Sequence, residues 1–305
     1  MFKSGFVALV GKPNAGKSSL VNSLVGFDVS IITPKPQTTR FNIKGIRTTE
    51  KSQIIFIDTP GVHTPKQKLG DYMMKGVEKA TEVVDIVLYL VDGEHPVLDE
   101  ANASIIKSVF KASKNVILAI NKVDAIKKEN ILRIIEEYVN FASDLGYKFL
   151  DIVPISVSKK DGLDTLINIL ESNLPEGDMI YSEDDITDIS EKDIVSEIVR
   201  KACLKYLDQE VPHGINIIVD RFKERITENG NTVYNIEATL ICKRDSHKGI
   251  IIGKGGEMLK RITQFSLKEM QQVLGVRCTL KLWVKVRPDW DNNENYLGNI
   301  KDKIR

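Results

Sequence analysis

From residue 6 to residue 173 the chain alternates between two hydrophobic patterns. Short continuous apolar runs occur at Phe6–Val10, Ile54–Ile57, Ile86–Val91, Val116–Asn121 and Ile152–Ile155. Runs without polar alternation belong to strands covered on both faces. Between them lie stretches whose apolar residues recur every three or four positions, at Ser18–Val25, Leu69–Glu82, Asp99–Ser113, Glu129–Asp144 and Leu163–Asn173. That spacing predicts helices with one buried stripe. Phe41–Thr48 alternates more nearly residue by residue, as an edge strand does. The succession of strand and helix predicts a doubly wound α/β domain with a mostly parallel sheet.

The pattern stops at Leu174-Pro175-Glu176-Gly177. Residues 176–193 are acidic, with Ser182-Glu183-Asp184-Asp185 at their centre, and read as a linker. A second unit follows. It has a helix at about 191–208, a strand at Ile215–Lys223, a turn at Glu228–Asn231 and a strand at Val233–Lys243. A glycine loop comes next, then helices over about 256–274 and a last strand at Arg277–Val286. The expected division is a domain at 1–175, an acidic linker at 176–190 and a smaller α+β domain at 191–305 in the order α-β-β-α-α-β.

The net charge of +1 gives no sign of a polyanion partner, but the two ends differ. Up to residue 195 there are 23 basic and 28 acidic residues; from 196 onward there are 20 and 14. Any polyanion-binding surface is therefore expected in the second unit. Cys203, Cys242 and Cys278 fit neither a metal site nor a disulfide framework and read as buried thiols of a reducing cytoplasm. The N-terminus runs directly into a strand with no leader pattern, and no apolar stretch is long enough to span a membrane.

Gly11-Lys12-Pro13-Asn14-Ala15-Gly16-Lys17-Ser18 matches G-x-x-x-x-G-K-[ST] between a predicted strand and helix. Backbone N–H groups of such a loop, Ala15, Gly16 and Ser19 included, cradle phosphate oxygens. Lys17 can bridge the β- and γ-phosphates and Ser18 can give its hydroxyl to Mg2+. Asn121-Lys122-Val123-Asp124 then selects the base: the Asp124 carboxylate accepts from guanine N1–H and N2–H, a paired donor edge that adenine lacks. Ser156-Val157-Ser158 can close over the base. In Asp58-Thr59-Pro60-Gly61, Asp58 can hold Mg2+ and the Gly61 N–H can meet the γ-phosphate. Gln37-Thr38-Thr39-Arg40 supplies a switch threonine for Mg2+, with Thr39 favoured and Thr38 the alternative. GTP and Mg2+ would order the segments around Thr38–Thr39 and Gly61–Lys68, and hydrolysis would release them.

The second loop, Gly253-Lys254-Gly255-Gly256, lies in Ile250–Ile262 and matches the I-G-x-x-G-x-x-[IL] pattern of a KH domain. Such loops clamp about four single-stranded nucleotides. Lys248, Lys254, Lys260 and Arg261 surround the clamp and can contact phosphate, which gives affinity without sequence choice. Base selection would fall to an apolar groove around Ile250–Ile252, Leu259 and Ile262. In the last strand Trp283 reads as core; Trp290, beyond Pro288, either packs on the domain or stacks on a base.

The P-loop, Thr38-Thr39-Arg40, Asp58–Gly61 and Asn121–Asp124 elements resemble the translation-factor-related GTPases. With the KH loop and the Trp283-Val284-Lys285-Val286 strand, the resemblance extends over nearly the whole chain to the Era-like group. It implies a P-loop GTPase domain followed by a type II KH domain. It also implies a GTP/GDP- and Mg2+-binding switch that binds the 3′ end of 16S ribosomal RNA and assists assembly of the 30S subunit. A cytoplasmic, monomeric protein is implied, with peripheral association at the inner face of the membrane as a further implication. Ras-type enzymes carry a water-orienting Gln after the D-x-x-G element. Val62 stands there instead, so intrinsic hydrolysis is expected to be slow, and the neighbouring His63 reads as a solvated switch residue rather than a base. In similar GTPases an Asn at the position of Asn14 helps hold K+ beside the phosphates, which places Asn14 with Lys17, Thr39 and Gly61 in the catalytic set.

Overall fold

The computed structural model describes residues 1–36, 38–62 and 68–293. Its chain divides into two compact units, one from Met1 to Asp188 and one beginning at Ile189.

The first unit is a six-stranded sheet with helices on both faces. Its strands are β1 (Lys3–Val10), β2 (Ile43–Thr48), β3 (Ser52–Asp58), β4 (Ile86–Asp92), β5 (Val116–Asn121) and β6 (Asp151–Pro154). They lie in the order β2-β3-β1-β4-β5-β6, all parallel except β2, which runs antiparallel to β3. The helices are α1 (Lys17–Val25), α2 (Lys68–Glu82), α3 (Glu100–Ala112), α4 (Lys128–Asp144) and α5 (Leu163–Asn173). β3 and β5 are buried along their whole length, which is why their sequences show no alternation. One core layer joins α1 and α5 to the sheet through Leu20, Leu24, Leu166 and Leu170, and a second joins α3 and α4 through Ile106, Phe110, Ile134 and Tyr138. Chain order reverses between β1 and β4, the switch point at which open α/β sheets bind ligands.

The second unit is a three-stranded sheet backed by helices: α6 (Glu191–Tyr206), β7 (Ile215–Ile226), β8 (Thr232–Cys242), α7 (Asp245–Ile252), α8 (Glu257–Leu274) and β9 (Arg277–Val286). The order is β7-β8-β9, antiparallel then parallel. The α-β-β-α-α-β succession is the expected one, but the glycine loop falls between the last two helices rather than ahead of both. Asp245-Ser246-His247-Lys248 had no strong helical pattern, yet it folds as the first turn of α7, with His247 and Ile251 buried one turn apart. All three cysteines are buried and none is in a disulfide.

Two tryptophans separate cleanly. Trp283 is not core: its side is 51% exposed. Leu280, Leu282 and Val284 take the buried parity of β9 and pack on the helices, so the intervening Trp283 faces away with Lys281, whose ammonium lies 5.5 Å from the indole ring. Trp290 is fully buried and its Nε1 donates to the Gly214 carbonyl (3.0 Å). Trp290→Ala should therefore destabilise the second unit by about 3–5 kcal/mol. Urea unfolding followed by the fluorescence of the remaining Trp283 measures the loss.

Candidate nucleotide site and RNA clamp

The phosphate loop links β1 to α1 at the switch point, and close packing fixes its course. A Cβ on Gly11 would fall 2.3 Å from the Leu90 carbonyl oxygen, and one on Gly16 would fall 2.3 Å from Asn121 Nδ2. Gly16 also has φ +98° and leads into α1, whose first N–H groups have no partners within the helix and whose first residues, Lys17, Ser18 and Ser19, line the pocket. Asn14 adopts φ 65° at the tip of the loop. Lys17 folds back under the loop, donating to the Gly11 and Lys12 carbonyls at 3.0 Å each. Burial pushes its pKa down to about 8, against the pull of Asp58.

Three oxygen groups converge beside the loop. Ser18 Oγ donates to Asp58 Oδ2 (2.6 Å), Thr39 Oγ1 lies 3.0 Å from Ser18 Oγ, and Thr39 Oγ1 donates to Asp58 Oδ2 at 3.4 Å. Asp58 is fully buried, its other oxygen, Oδ1, has no hydrogen-bond partner, and burial raises its pKa despite the Ser18 hydroxyl and Lys17. An orphaned carboxylate oxygen beside two hydroxyls is a hard-oxygen set that fits Mg2+. Thr38 is not part of it: its hydroxyl donates to the Lys35 carbonyl and contacts Thr33. Gly61 approaches the loop so closely that a Cβ would lie 2.8 Å from the Pro13 nitrogen, and the Val62 N–H donates to the Gly11 carbonyl (3.2 Å). Val62 itself packs against the core. Gln37, His63 and the rest of 63–67 lie outside the described residues.

At the other end of the pocket, Asn121 ties three loops together. Its Nδ2 donates to the Ala15 carbonyl (3.0 Å) and its Oδ1 accepts from the Val157 N–H (3.2 Å). Asp124 accepts from Ser156 Oγ (2.6 Å) and Ser158 Oγ (3.1 Å); the Ser156 bond first, then that of Ser158, holds its carboxyl below the usual range. It is an ionised acceptor at neutral pH. Lys122, held at φ 64°, pairs with Asp92 (2.6 Å) and Glu94 (3.4 Å). The cavity these groups enclose is about 710 Å3, the size of a small-molecule site. It is lined by Asn14, Gly16, Lys17, Ser18, Ser19, Thr38, Thr39, Gly61, Asn121, Lys122, Asp124, Val157 and Ser158 among the expected residues. Gly11, Ala15, Asp58 and Ser156 are not in the wall; Ser156 lies behind Asp124. Sequence reading missed Ile31–Lys35 and Glu94, which also line it. The Ile31-Ile32 pair, whose second member is six residues ahead of Thr38, was the available signal.

In the second unit Gly253, Gly255 and Gly256 have φ of 73°, 62° and 81° between α7 and α8. A Cβ on Gly253 would meet the Met258 nitrogen at 2.9 Å, whereas Gly255 and Gly256 face open space. Lys254, Lys260 and Arg261 are exposed and Lys248 is half-buried; Arg261 also pairs with Glu257 at 3.0 Å. Of the apolar candidates, Ile251 and Ile262 are fully buried core, while Ile250 is exposed and Ile252 and Leu259 are half-buried beside the loop. Among the described residues no helix is long and apolar enough to cross a membrane.

A phosphate loop, a guanine-directed Asn-Lys-x-Asp element and an acidic Mg2+-type site on a doubly wound sheet define a P-loop GTPase, here followed by a KH domain. Residues 6–122 match the family described as 50S ribosome-binding GTPase, and residues 210–291 match the KH domain family. The chain is 45% identical over 300 residues to GTPase Era of Clostridium botulinum, covering 98% of each protein. It is 46% identical to GTPase Era of Caldicellulosiruptor saccharolyticus, covering 95% of this chain and 94% of the relative. Two solved structures superpose with TM-scores of 0.91 over 99% of each chain: Era with MgGDPNP and nucleotides 1506–1542 of 16S ribosomal RNA, at 36% identity, and Aquifex aeolicus Era with GDP and aluminium fluoride, at 35%. The chain belongs to the Era family of GTPases.

The buried Lys17 gives a testable pH signature. Free protein loses the Lys17 proton above pH 8, whereas a bound triphosphate favours the charged ammonium. Nucleotide binding at pH 9 should therefore take up a proton, and affinity should fall by up to about tenfold per pH unit above 8. Calorimetry at pH 9 in buffers of different ionisation enthalpy counts the proton; no buffer dependence would contradict the assignment.

Proposed function

We propose that this protein is a GTP-dependent switch that binds single-stranded RNA at the 3′ end of 16S ribosomal RNA and assists assembly of the 30S subunit in the cytoplasm. The observation that carries the reading is the joint presence, in one chain, of an Asp58-Ser18-Thr39 oxygen cluster beside a phosphate loop and a glycine clamp between α7 and α8. The likeness over 99% of the chain to Era solved with MgGDPNP and the RNA 3′ end supports the same reading.

In this reading the base lies toward Asn121, Lys122, Asp124, Ser156 and Val157, and the phosphates lie on Gly11, Asn14, Ala15, Gly16, Lys17, Ser18 and Ser19. Ser18, Thr39 and Asp58 would hold Mg2+. When bound, the ion would supply positive charge against the phosphates. Lys17 adds a second positive charge there. Gly61 offers its N–H to the γ-phosphate because no side chain keeps it from the loop. Val62 cannot orient water, so intrinsic turnover is slow. Asn14 gives the loop a polar group beside the phosphates where K+ can add charge, so turnover rises in KCl over NaCl at matched ionic strength; equal rates would remove that part of the reading. In the second unit Lys248, Gly253, Lys254, Gly255, Gly256, Lys260 and Arg261 hold the RNA backbone, and Ile250, Ile252 and Leu259 meet the bases.

Thr39→Ala should lower GTP hydrolysis by about 10²-fold or more, while Thr38→Ala should stay within about threefold. Single-turnover assays separate the two, and equal effects would return Thr38 to contention. Gly255→Asp should cut RNA binding and leave GTP binding intact. Crosslinking in cells followed by sequencing of the bound RNA tests the target: without enrichment of 16S RNA the ribosomal assignment fails while the GTPase stands.

A further inference from the structure

The acidic segment after α5 is bound along the first unit. Its start is held to the N-terminal strand, where the Ser4 N–H donates to the Pro175 carbonyl (3.2 Å) and the Gly177 N–H to the Phe2 carbonyl (3.1 Å). Its middle is held by Gln53 of β3. Gln53 is fully buried and uses its whole hydrogen-bonding capacity. Its Oε1 accepts from the Ile180 and Tyr181 N–H groups (2.7 and 2.9 Å), and its Nε2 donates to the Tyr181 carbonyl (2.9 Å) and to Thr48 Oγ1 (3.0 Å). Its end lies on the outer edge of β2. The Ile46 N–H donates to the Ile186 carbonyl (2.8 Å), Thr187 Oγ1 donates to the Lys44 carbonyl (2.7 Å), and Lys44 Nζ pairs with Asp188 (2.6 Å) and donates to the Tyr181 hydroxyl (3.2 Å).

β2 is the edge strand of the sheet, and Lys44 and Ile46 are two residues apart, so both point their main-chain groups outward. It is also the continuation of the switch segment. Ile43, its first residue, pairs with Asp58 and follows Thr39 by four positions. Thr39, Arg40, Phe41 and Ile43 are all buried, so the connection has no slack. A change at Thr39 must be absorbed within those residues or passed to the edge that the acidic segment occupies. Beyond Asp188 the chain enters the second unit and α6.

We propose that residues 178–188 form a nucleotide-sensitive latch on the edge of β2, whose hold depends on whether Thr39 is engaged at the Mg2+ site. This deepens the switch reading above and rests on it. A segment that only shields an exposed strand edge would be equally well held in every nucleotide state; a latch is not.

Hydrogen exchange on the full chain, loaded with Mg2+ and either GDP or a non-hydrolysable GTP analogue, tests the difference. Exchange of amides in 178–188 should differ between the two states by about threefold or more. In Lys44→Ala and Asp188→Asn it should be faster in both states, with the difference reduced, while analogue affinity stays within about twofold of the unmodified protein. Equal exchange in the two states overturns the latch. A labelled single-stranded oligonucleotide provides the separate arm. If exchange depends on nucleotide but oligonucleotide affinity does not, the latch stands and control of RNA binding by the switch fails. If affinity depends on nucleotide and exchange does not, the switch stands and the latch fails.

Discussion

The fold of the first unit is organised around a few ångströms of clearance at the phosphate loop. Bringing main-chain N–H groups inward around a polyanion requires glycine wherever a neighbour presses on the loop. Leu90 of β4 presses at Gly11, Asn121 at the end of β5 presses at Gly16, and the loop itself presses on Gly61. Each contact comes from a different segment, so the loop keeps its shape only if β1, β4 and β5 keep their parallel register and β3 ends at Asp58. Strand order, the buried amide of Asn121 and the placement of Asp58 are thus conditions of one requirement. Lys17 shows the cost of that arrangement: its ammonium is held by carbonyls in a buried place and is easier to deprotonate than in water.

The second unit meets a related requirement with less packing. Gly253 is pressed by Met258, but Gly255 and Gly256 are open and need glycine for their backbone angles alone. An inward-facing cradle for a compact triphosphate has to be enclosed. A clamp for an extended chain of phosphates has to be accessible, and the exposed Lys254 and Lys260 keep it so.

Much of this was legible in the residues because the physics is local. Continuous apolar runs become doubly covered strands, and glycine, lysine and acid at fixed spacings become a phosphate and base site. The departures are equally physical. Trp283 is large and apolar, yet the parity of β9 decides its face, and Leu282 and Val284 had already taken the inside. The start of α7 is polar and precedes an isoleucine run that suits a strand, yet it is helical, with His247 and Ile251 buried one turn apart. The acidic segment looks like a tether by composition, since no sequence pattern records that Gln53 and the edge of β2 lie within reach. Ile31 and Ile32 were passed over because an apolar pair signals core far more often than the wall of a polar pocket.

The parallel pairing of β8 with β9 has a consequence for how the protein is made. Parallel neighbours cannot be joined by a tight turn, so the chain must cross the face of the sheet between Cys242 and Arg277, and the glycine clamp lies within that crossover. The crossover is fixed only when β9 has been added. During synthesis the first unit has all its strands by Pro154 and can fold while the rest is still being made. The RNA clamp is completed only once β9 has emerged, well after the strands of the first unit, so a chain still being made can hold nucleotide before it can hold RNA.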